Sequence, residues 1–293
     1  MSYQQHGFSE TDLSRFREVQ RLAYRCTVEI SHDLTEGVTE IEACARMESW
    51  LRKRGVQDFF HKPFAWFGPR AAFEGFWNKL QFFPTRTRLK QDMAYILDVA
   101  PVVDGYIGDI GYSATLGENT VQMQMRRCLI KYRGLILQGV KAGKSFAQIY
   151  RKVDAFIQHH GYQNAHRRYP QRVLAHRVAK VEPNALSGLT LLGFGARHLQ
   201  WLVPQVLRAR FLPQAGDGSP LWNDGAESEH VPLLGVWAVE PHLAFHGVGA
   251  KWEEILVITE KDAYWLDEEV PHMQEARAQG WIEVASLTDK EMS

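Results

Sequence analysis

The chain has 293 residues with 34 basic and 34 acidic side chains, so its formal net charge is zero. This balance excludes the strongly basic surface of a dedicated nucleic-acid-binding protein, and 45 % hydrophobic residues exclude a disordered chain. No apolar run is long enough to span a membrane, and the amino terminus lacks the features of a signal peptide. We therefore expect a cytoplasmic protein that binds neither nucleic acid nor membrane.

Capping boxes predict where the helices begin. The three pairs are Ser9 with Asp12, Thr39 with Glu42, and Ser145 with Gln148. Apolar residues at helical spacing extend the first helix to about residue 32 and the second almost to Gly55, and helices are predicted over about 120–141 and 145–160. Cys26, Cys44 and Cys128 lie in these helical segments, far apart, and are expected to be buried reduced thiols.

Residues 59–83 carry ten aromatic side chains without a clean period. Such a stretch favours a core or a dimer interface, which leaves a homodimer open, and the alternative is the wall of a pocket for an apolar ligand. Farther along, residues 173–181 are β-prone and residues 211–231 are predicted to form a long loop, with a lid as one interpretation.

Two hairpins carry paired carboxylates. A two-residue turn at Asp104-Gly105 places Asp98 and Asp109 on one sheet face, as diagonal neighbours at about 7 Å between Cα atoms. A turn at His246-Gly247 places Glu240 directly opposite Glu253. Like charges that face each other across a sheet need a cation, so we expect two divalent ions here. The alternative is that all four are solvent-exposed strand residues.

Helices followed by a hairpin occur twice, which indicates an α+β protein. The segments ILDVAPVVDGYIGDIG and VEPHLAFHGVGAKWEEILVITE also resemble the pita-bread metallopeptidase family, which includes methionine aminopeptidase, aminopeptidase P, prolidase and creatinase. The resemblance extends to about Leu266 and rests on five residues in order: Asp98, Asp109, His176, Glu240 and Glu253. It implies one catalytic domain over residues 1–293 with a loop insertion at about 211–231, built from two pseudo-symmetric halves of helices packed on curved antiparallel sheet.

The resemblance also implies roles for these residues. Asp98 would bind one metal ion, Asp109 and Glu253 would bridge, and His176 with Glu240 would complete the second site, with Mn, Co, Fe or Zn as the metal. A metal-bridging hydroxide would attack an amide carbonyl, and Glu240 would carry a proton to the leaving nitrogen. The substrate would be a small peptide or a small-molecule amide.

Several positions depart from the family pattern. Arg177 and Ala179 stand where the family has glycines after the histidine, and Pro183 and Gly75 stand where it has two substrate-orienting histidines. Three other residues are candidates to donate a hydrogen bond in their place: His242, His246 and His61. Arg177 is a candidate to hold a substrate carboxylate, with a surface strand residue as the equal alternative.

Three functions remain open at this point. The first is a metal-dependent hydrolase that resembles Xaa-Pro and amino-terminal peptidases. The second is a non-peptidase metalloenzyme acting on a small apolar or aromatic metabolite, through creatinase-like or iron and oxygen chemistry. The third is a catalytically silent binding module, since a fold does not dictate a function.

Overall fold

The computed structural model describes residues 3–212 and 218–282. Within these ranges the chain forms six α-helices: α1 (Glu10–His32), α2 (Glu40–Arg52), α3 (Thr120–Lys141), α4 (Phe146–His159), α5 (Ala196–Phe211) and α6 (Pro271–Ala278). The strands of the first part are β1 (Tyr3–Gln4), β2 (Asp58–Phe67), β3 (Met93–Val103), β4 (Tyr106–Ile107) and β5 (Ile110–Leu116). The remaining strands are β6 (Gln163–Asn164), β7 (Ala175–Val178), β8 (Lys180–Val181), β9 (Thr190–Leu191), β10 (Phe194–Gly195), β11 (Leu221–Trp222), β12 (Gly235–Val239), β13 (His242–Phe245), β14 (Val248–Lys251), β15 (Glu254–Ile258) and β16 (Ala263–Trp265).

The predicted helix starts are confirmed. All three predicted capping boxes are present, at the first turns of α1, α2 and α4. Each cap side chain satisfies a backbone N–H that has no partner inside its helix. Within the described residues, no helix is long and apolar enough to cross a membrane.

The first sheet has the strand order β4-β3-β2-β10-β9, with β5 also paired to β3. Helices α1 and α2 bury their apolar faces against it, in a core that includes Cys26, Met47 and Leu97. Val103 pairs with Tyr106 across the Asp104-Gly105 turn, and the same register continues to Asp98 opposite Gly111. The predicted register of this hairpin is therefore confirmed.

The second sheet has the order β11-β7-β12-β15-β16, and a three-stranded sheet β14-β13-β6 lies beside it. Helices α3 and α4 share a core with these strands. His242 pairs with Lys251 and Val239 with Glu254, as the predicted turn at His246-Gly247 requires. Glu240 and Glu253 hold the intervening opposed positions of this register.

A backbone hydrogen bond links the first sheet to the strands of the second hairpin. The backbone N–H of Glu253 donates to the oxygen of Gly111 at 3.2 Å, which links the β14–β15 segment to β5. A further core packs residues of β3 and β4 against residues of β7, β12 and β15. The strands that carry the predicted carboxylates therefore meet at this junction.

Two sequence expectations need correction. The helix α5 was not predicted, and residues 211–231 are not simply a loop, because α5 extends to Phe211 and β11 pairs with β7 directly at His176. Residues 213–217 of that predicted loop lie outside the described residues. The aromatic stretch over 59–83 is mostly core, with Phe59, Phe67 and Phe73 buried, although Trp77 is 87 % exposed.

Candidate metal centre

A cluster of buried charged and imidazole side chains lies at the junction of the two sheets. Its members come from seven different strands or their ends, and each is at most 9 % exposed: His61, Asp98, Asp109, His176, Glu240, Lys251 and Glu253. Four carboxylates buried together are costly unless cations or hydrogen-bond donors neutralise them. The arrangement around each oxygen atom therefore decides what the cluster can bind.

Local backbone geometry explains why these side chains converge. Asp109 lies two residues before Gly111, so it shares a sheet face with Asp98. Lys251 and Glu253 are likewise two residues apart and share a face. The Tyr24 hydroxyl of α1 donates to the backbone oxygen of Glu253 at 2.5 Å and so fixes this segment against the first half.

Asp109 lies between two histidines. Its Oδ1 is 3.0 Å from Nε2 of His61, and its Oδ2 is 3.1 Å from Nε2 of His176. His61 Nε2 is also 3.2 Å from Oδ1 of Asp98, and His176 Nε2 is 3.8 Å from Oε1 of Glu253. Each imidazole thus faces two carboxylate oxygens, one of which belongs to Asp109.

The opposite nitrogens of both rings face backbone carbonyls. Nδ1 of His61 lies 2.8 Å from the oxygen of Lys62, and Nδ1 of His176 lies 3.3 Å from the oxygen of Arg177. Because a carbonyl only accepts, the proton of each neutral ring belongs on Nδ1, and the Nε2 lone pair faces the carboxylates. Metal-ligating histidines are typically oriented in this way.

Lys251 provides a cation inside the cluster. Its side chain is fully buried, and Nζ lies 2.7 Å from Oδ2 of Asp98, 2.9 Å from Oε2 of Glu240 and 2.9 Å from Oε2 of Glu253. Nζ is also 3.0 Å from the hydroxyl of Tyr169. The ammonium therefore neutralises one oxygen of each of these three carboxylates.

The electrostatic balance favours ionised aspartates. Burial raises the pKa of Asp98 and Asp109, but Lys251 and the imidazoles outweigh it and hold both pKa values below the ordinary range. Burial lowers the pKa of His61 and of His176, but the adjacent Asp109 outweighs it in both cases. The pKa of His176 is therefore raised, and that of His61 is raised well above its usual value.

The two glutamates differ from the aspartates. Burial raises the pKa of Glu253 well above its usual range, and the neighbouring Asp109 and Glu240 act in the same direction. Burial also raises the pKa of Glu240, although Lys251 opposes this. For Lys251 itself, burial lowers the pKa but the three carboxylates outweigh it and raise it well above its ordinary value.

The donor set fits divalent metal ions. Two groups of three donors, whose ligand atoms lie within 4.8 Å of one another, share Asp109: His61 with Asp98 and Asp109, and Asp109 with His176 and Glu253. Two donors that are each about 2.1 Å from one ion lie about 3.0 to 3.4 Å apart at octahedral or tetrahedral angles, and the separations of 3.0, 3.1 and 3.2 Å match this range.

An unsatisfied oxygen supports the same interpretation. Oδ2 of Asp109 is buried and has no hydrogen-bond donor among the described residues. His176 Nε2 approaches it to 3.1 Å, but without the alignment of a hydrogen bond. A buried carboxylate oxygen without a donor is unfavourable, and a shared cation would satisfy it.

The structure brings together the five residues that the family pattern indicated. Asp98, Asp109, His176 and Glu253 belong to the two groups of three donors, whereas Glu240 belongs to neither and is held by Lys251. Imidazole and carboxylate donors suit Mn, Fe, Co or Zn, so the choice of metal stays a prediction.

Two of the other predicted residues lie outside the cluster. Arg177 follows His176 on β7 and points to the opposite face, where its guanidinium donates to the oxygen of Leu234 at 2.5 Å and lies 5.4 Å from the Trp237 ring. His246 is exposed at the hairpin turn and packs on Phe245. The structure therefore gives no support to a substrate contact by either residue.

His242 is only indirectly connected to the cluster. Its Nε2 donates to the oxygen of Ala71 at 2.7 Å, and its Nδ1 is 3.5 Å from the Tyr169 hydroxyl, which in turn contacts Lys251. Burial lowers the pKa of His242 well below its usual value, and Lys251 acts in the same direction, so the ring is neutral. It positions Tyr169 rather than reaching the carboxylates itself.

Sequence reasoning missed Lys251 and Tyr169. Lys251 shares a strand face with Glu253 because two residues separate them, and this spacing was a usable signal. Tyr169 lies in a short irregular segment between 3₁₀ turns, where no periodicity indicates the direction of a side chain. His61 was considered only as a hydrogen-bond donor, whereas it lies among the candidate metal ligands.

Aromatic rings surround the two histidines. Phe60 stacks on His176 with 5.1 Å between ring centroids, and Phe64 and Phe194 lie 5.2 and 6.0 Å from His61. Phe194 belongs to β10, which pairs with β2 directly at His61. The segment after Pro183 therefore returns to cover the cluster with an apolar ring.

Comparison with known proteins identifies the family of this chain. The sequence profile of metallopeptidase family M24 matches residues 14–260. An uncharacterized peptidase of Staphylococcus aureus is 25 % identical over 156 residues, which is 53 % of this chain and 42 % of the relative. The chain thus spans less than half the length of this curated relative.

Solved structures share the fold. The X-Pro aminopeptidase of Thermotoga maritima superposes with a TM-score of 0.64 at 16 % identity, covering 89 % of this chain and 62 % of that one. The prolidase of Pyrococcus furiosus gives 0.63 at 16 % identity, with 89 % and 65 % covered. Methionine aminopeptidase of Rickettsia prowazekii gives 0.55 at 13 % identity, with 88 % and 98 % covered. The expected pita-bread α+β fold is confirmed, and the chain belongs to metallopeptidase family M24.

Proposed function

We propose that this chain is a metal-dependent hydrolase that cleaves an amide bond near the amino end of a small peptide or a peptide-like molecule. The observation that carries the proposal is the pair of buried donor groups that share Asp109. Membership of a metallopeptidase family supports the same reaction class.

Asp98, Asp109, His176 and Glu253 would hold two divalent ions. Such ions, when bound, lower the pKa of water and polarise a carbonyl group, which are the two requirements of amide hydrolysis. Asp109 offers one oxygen to each donor group, so it would join the two ions.

Glu240 is the proposed proton carrier. It lies opposite Glu253 across the strand register and is buried, and only its Oε2 is held by Lys251, at 2.9 Å. A carboxylate fixed in this way can take a proton from water and deliver it to the leaving nitrogen. Lys251 orients Glu240, and Tyr169 and His242 extend this support behind Lys251.

The aromatic rings favour an apolar substrate side chain. Phe64 and Phe194 flank His61, and neither of the two usual substrate-orienting histidines has a counterpart at Pro183 or Gly75. These departures support a second candidate, a metalloenzyme acting on a small apolar or aromatic amide that is not a peptide. Hydrolysis of aromatic amides without hydrolysis of any dipeptide would select this candidate.

A panel assay tests the proposal. The full chain is stripped of metal, reloaded separately with Mn²⁺, Co²⁺, Fe²⁺ or Zn²⁺, and incubated with Xaa-Pro dipeptides, amino-terminal tripeptides and aromatic amides. We expect product only with metal, loss of turnover in Asp109→Asn, and unchanged turnover in the exposed control Asp104→Asn. Metal-loaded protein that releases no product from the whole panel would contradict the proposal.

A second variant tests the role of Glu240. Because general acid–base catalysis typically contributes about 10²- to 10⁴-fold, Glu240→Gln should lower kcat by that order. Full turnover in this variant would refute the proton-carrying role while leaving the metal site intact.

A further inference from the structure

We propose that His61, and not Glu240, completes the metal coordination sphere of this chain, because among the described residues His61 belongs to one of the two donor groups whereas Glu240 belongs to neither. The inference rests on the metal site of the proposed function but concerns only which residues form it. It gives each of the two ions one imidazole and two carboxylate donors.

The position of His61 is that of a ligand. Its Nδ1 lies 2.8 Å from the oxygen of Lys62, which can only accept, and its Nε2 is aimed at Oδ1 of Asp109 and Oδ1 of Asp98, 3.0 and 3.2 Å away. If Nε2 carries no proton, its lone pair is repelled by these two carboxylate oxygens unless a metal ion lies between them. Both separations match two donors that are each about 2.1 Å from one ion.

His61 and His176 are arranged alike around one carboxylate. His176 faces Oδ2 of Asp109 and His61 faces Oδ1, and each ring turns its Nδ1 toward a backbone carbonyl. Aromatic contacts fix both rings, through Phe60 on His176 and Phe64 on His61. Asp109 would therefore bridge two ions with one histidine on each side.

Lys251 contacts one oxygen of Asp98 and one of Glu253, and the other oxygen of each carboxylate faces a histidine. The lysine takes Oδ2 of Asp98 and Oε2 of Glu253, whereas Oδ1 of Asp98 faces His61 and Oε1 of Glu253 faces His176. The ammonium and the proposed ions thus use different oxygens of the same side chains. Glu240 gives its Oε2 to Lys251 and, among the described residues, belongs to neither donor group.

The competing arrangement has no ion beside His61. In that case His61 would be an imidazolium that donates from Nε2 to the two aspartates, and Glu240 would be a metal ligand. The two arrangements differ in how many imidazoles contact metal, which is measurable without any assay of activity.

The experiment uses Co²⁺ bound to the full-length chain. Hyperfine-shifted, exchangeable proton signals count the Nδ1–H groups of metal-bound imidazoles, and isothermal titration counts the ions. We expect two such signals and two Co²⁺ per chain in the wild type. A single hyperfine-shifted Nδ1–H signal would overturn the inference even if two ions bind. Because the signals are counted on the wild-type protein, the result does not depend on the folding of any variant.

Variants extend the test. His61→Gln should lose one signal and one Co²⁺, whereas Glu240→Gln should keep two signals and two Co²⁺. The matched control is His32→Gln, at an exposed histidine of α1. Loss of an ion in Glu240→Gln with both retained in His61→Gln would overturn the inference. Two signals in a protein that hydrolyses nothing would instead contradict the proposed function alone.

Discussion

The buried side chain of Lys251 packs directly over Gly111. A Cβ added at position 111 would lie 2.3 Å from Cε of Lys251, closer than non-bonded carbon atoms can approach. Glycine at this position therefore leaves the space through which the lysine reaches Asp98, Glu240 and Glu253. The position of the internal cation thus depends on the absence of a side chain on the facing strand.

Gly111→Ala should destabilise the protein and displace Lys251. Overpacking of a buried site typically costs about 1–3 kcal/mol, and denaturant unfolding monitored by circular dichroism measures it. The matched control is Gly134→Ala, inside α3, where an added Cβ has nothing within 4 Å. Removing a helical glycine there should stabilise the protein by about 0.5–1 kcal/mol. Equal stability of both variants would contradict the contact.

Lys251→Met should leave the carboxylates without their internal cation. Removing one partner of a buried ion pair typically costs about 3–5 kcal/mol in the free energy of unfolding. Divalent metal should recover part of this loss, because it neutralises the same acidic groups. Thermal unfolding of the metal-free and metal-loaded variant measures both effects, with Lys53→Met, at an exposed lysine, as the control. A variant as stable as the wild type without metal would refute the role of Lys251.

The three cysteines should be unreactive in the folded protein. Cys26, Cys44 and Cys128 are buried thiols outside any disulfide bond. Burial raises the pKa of Cys26 to about 12 and that of Cys44 well above its usual value, so little reactive thiolate forms at neutral pH. Titration with a thiol-specific disulfide reagent should detect no fast-reacting thiol before denaturant is added and three afterwards. A rapid reaction in the native protein would contradict this burial.

Asp58 should contribute stability that depends on pH. Its Oδ1 accepts from the backbone of Phe59 and Gly188 at 2.9 and 3.1 Å, and Oδ2 lies 2.5 Å from Nε of Arg197. Burial raises the pKa of Asp58, but His198 and Arg197 outweigh it and the pKa is lowered. The carboxylate therefore stabilises the fold above its ordinary pKa of 3.8, and this contribution is lost as the pH falls through the lower folded value.

Asp58→Asn tests this linkage, because asparagine keeps the oxygen that accepts from the backbone. At neutral pH the variant should be less stable by about 1.5–3 kcal/mol, the usual range for a hydrogen bond to a charged group. The difference from the wild type should shrink as the pH falls below 3.8. A difference that stays constant with pH would show that the charge of Asp58 contributes nothing.

The hairpins and helix starts were accessible from sequence because local rules determine them. Asp104-Gly105 and His246-Gly247 adopt positive φ angles at both turn residues, and such turns fix the register of the flanking strands. That register places Asp98 near Asp109 and Glu240 opposite Glu253. The capping boxes at Ser9, Thr39 and Ser145 are equally local.

The features that the sequence did not reveal depend on tertiary contacts or on local irregularities. Two register irregularities of β2, on either side of His61, turn this histidine toward Asp98, and the sequence gives no sign of them. The helix α5 contains Pro204, which conceals its periodicity. The spacing of Lys251 from Glu253 indicated a shared strand face, but the burial of the lysine over Gly111 is a tertiary contact that the sequence does not show.

The metal content of the purified chain tests the central claim most directly. Elemental analysis after dialysis against metal-free buffer and reconstitution should give two divalent ions per chain for the wild type and for Asp104→Asn. Asp109→Asn should bind neither ion tightly, because both donor groups share this carboxylate. A wild type that binds no divalent metal, or an Asp109→Asn variant that retains both ions, would contradict the account.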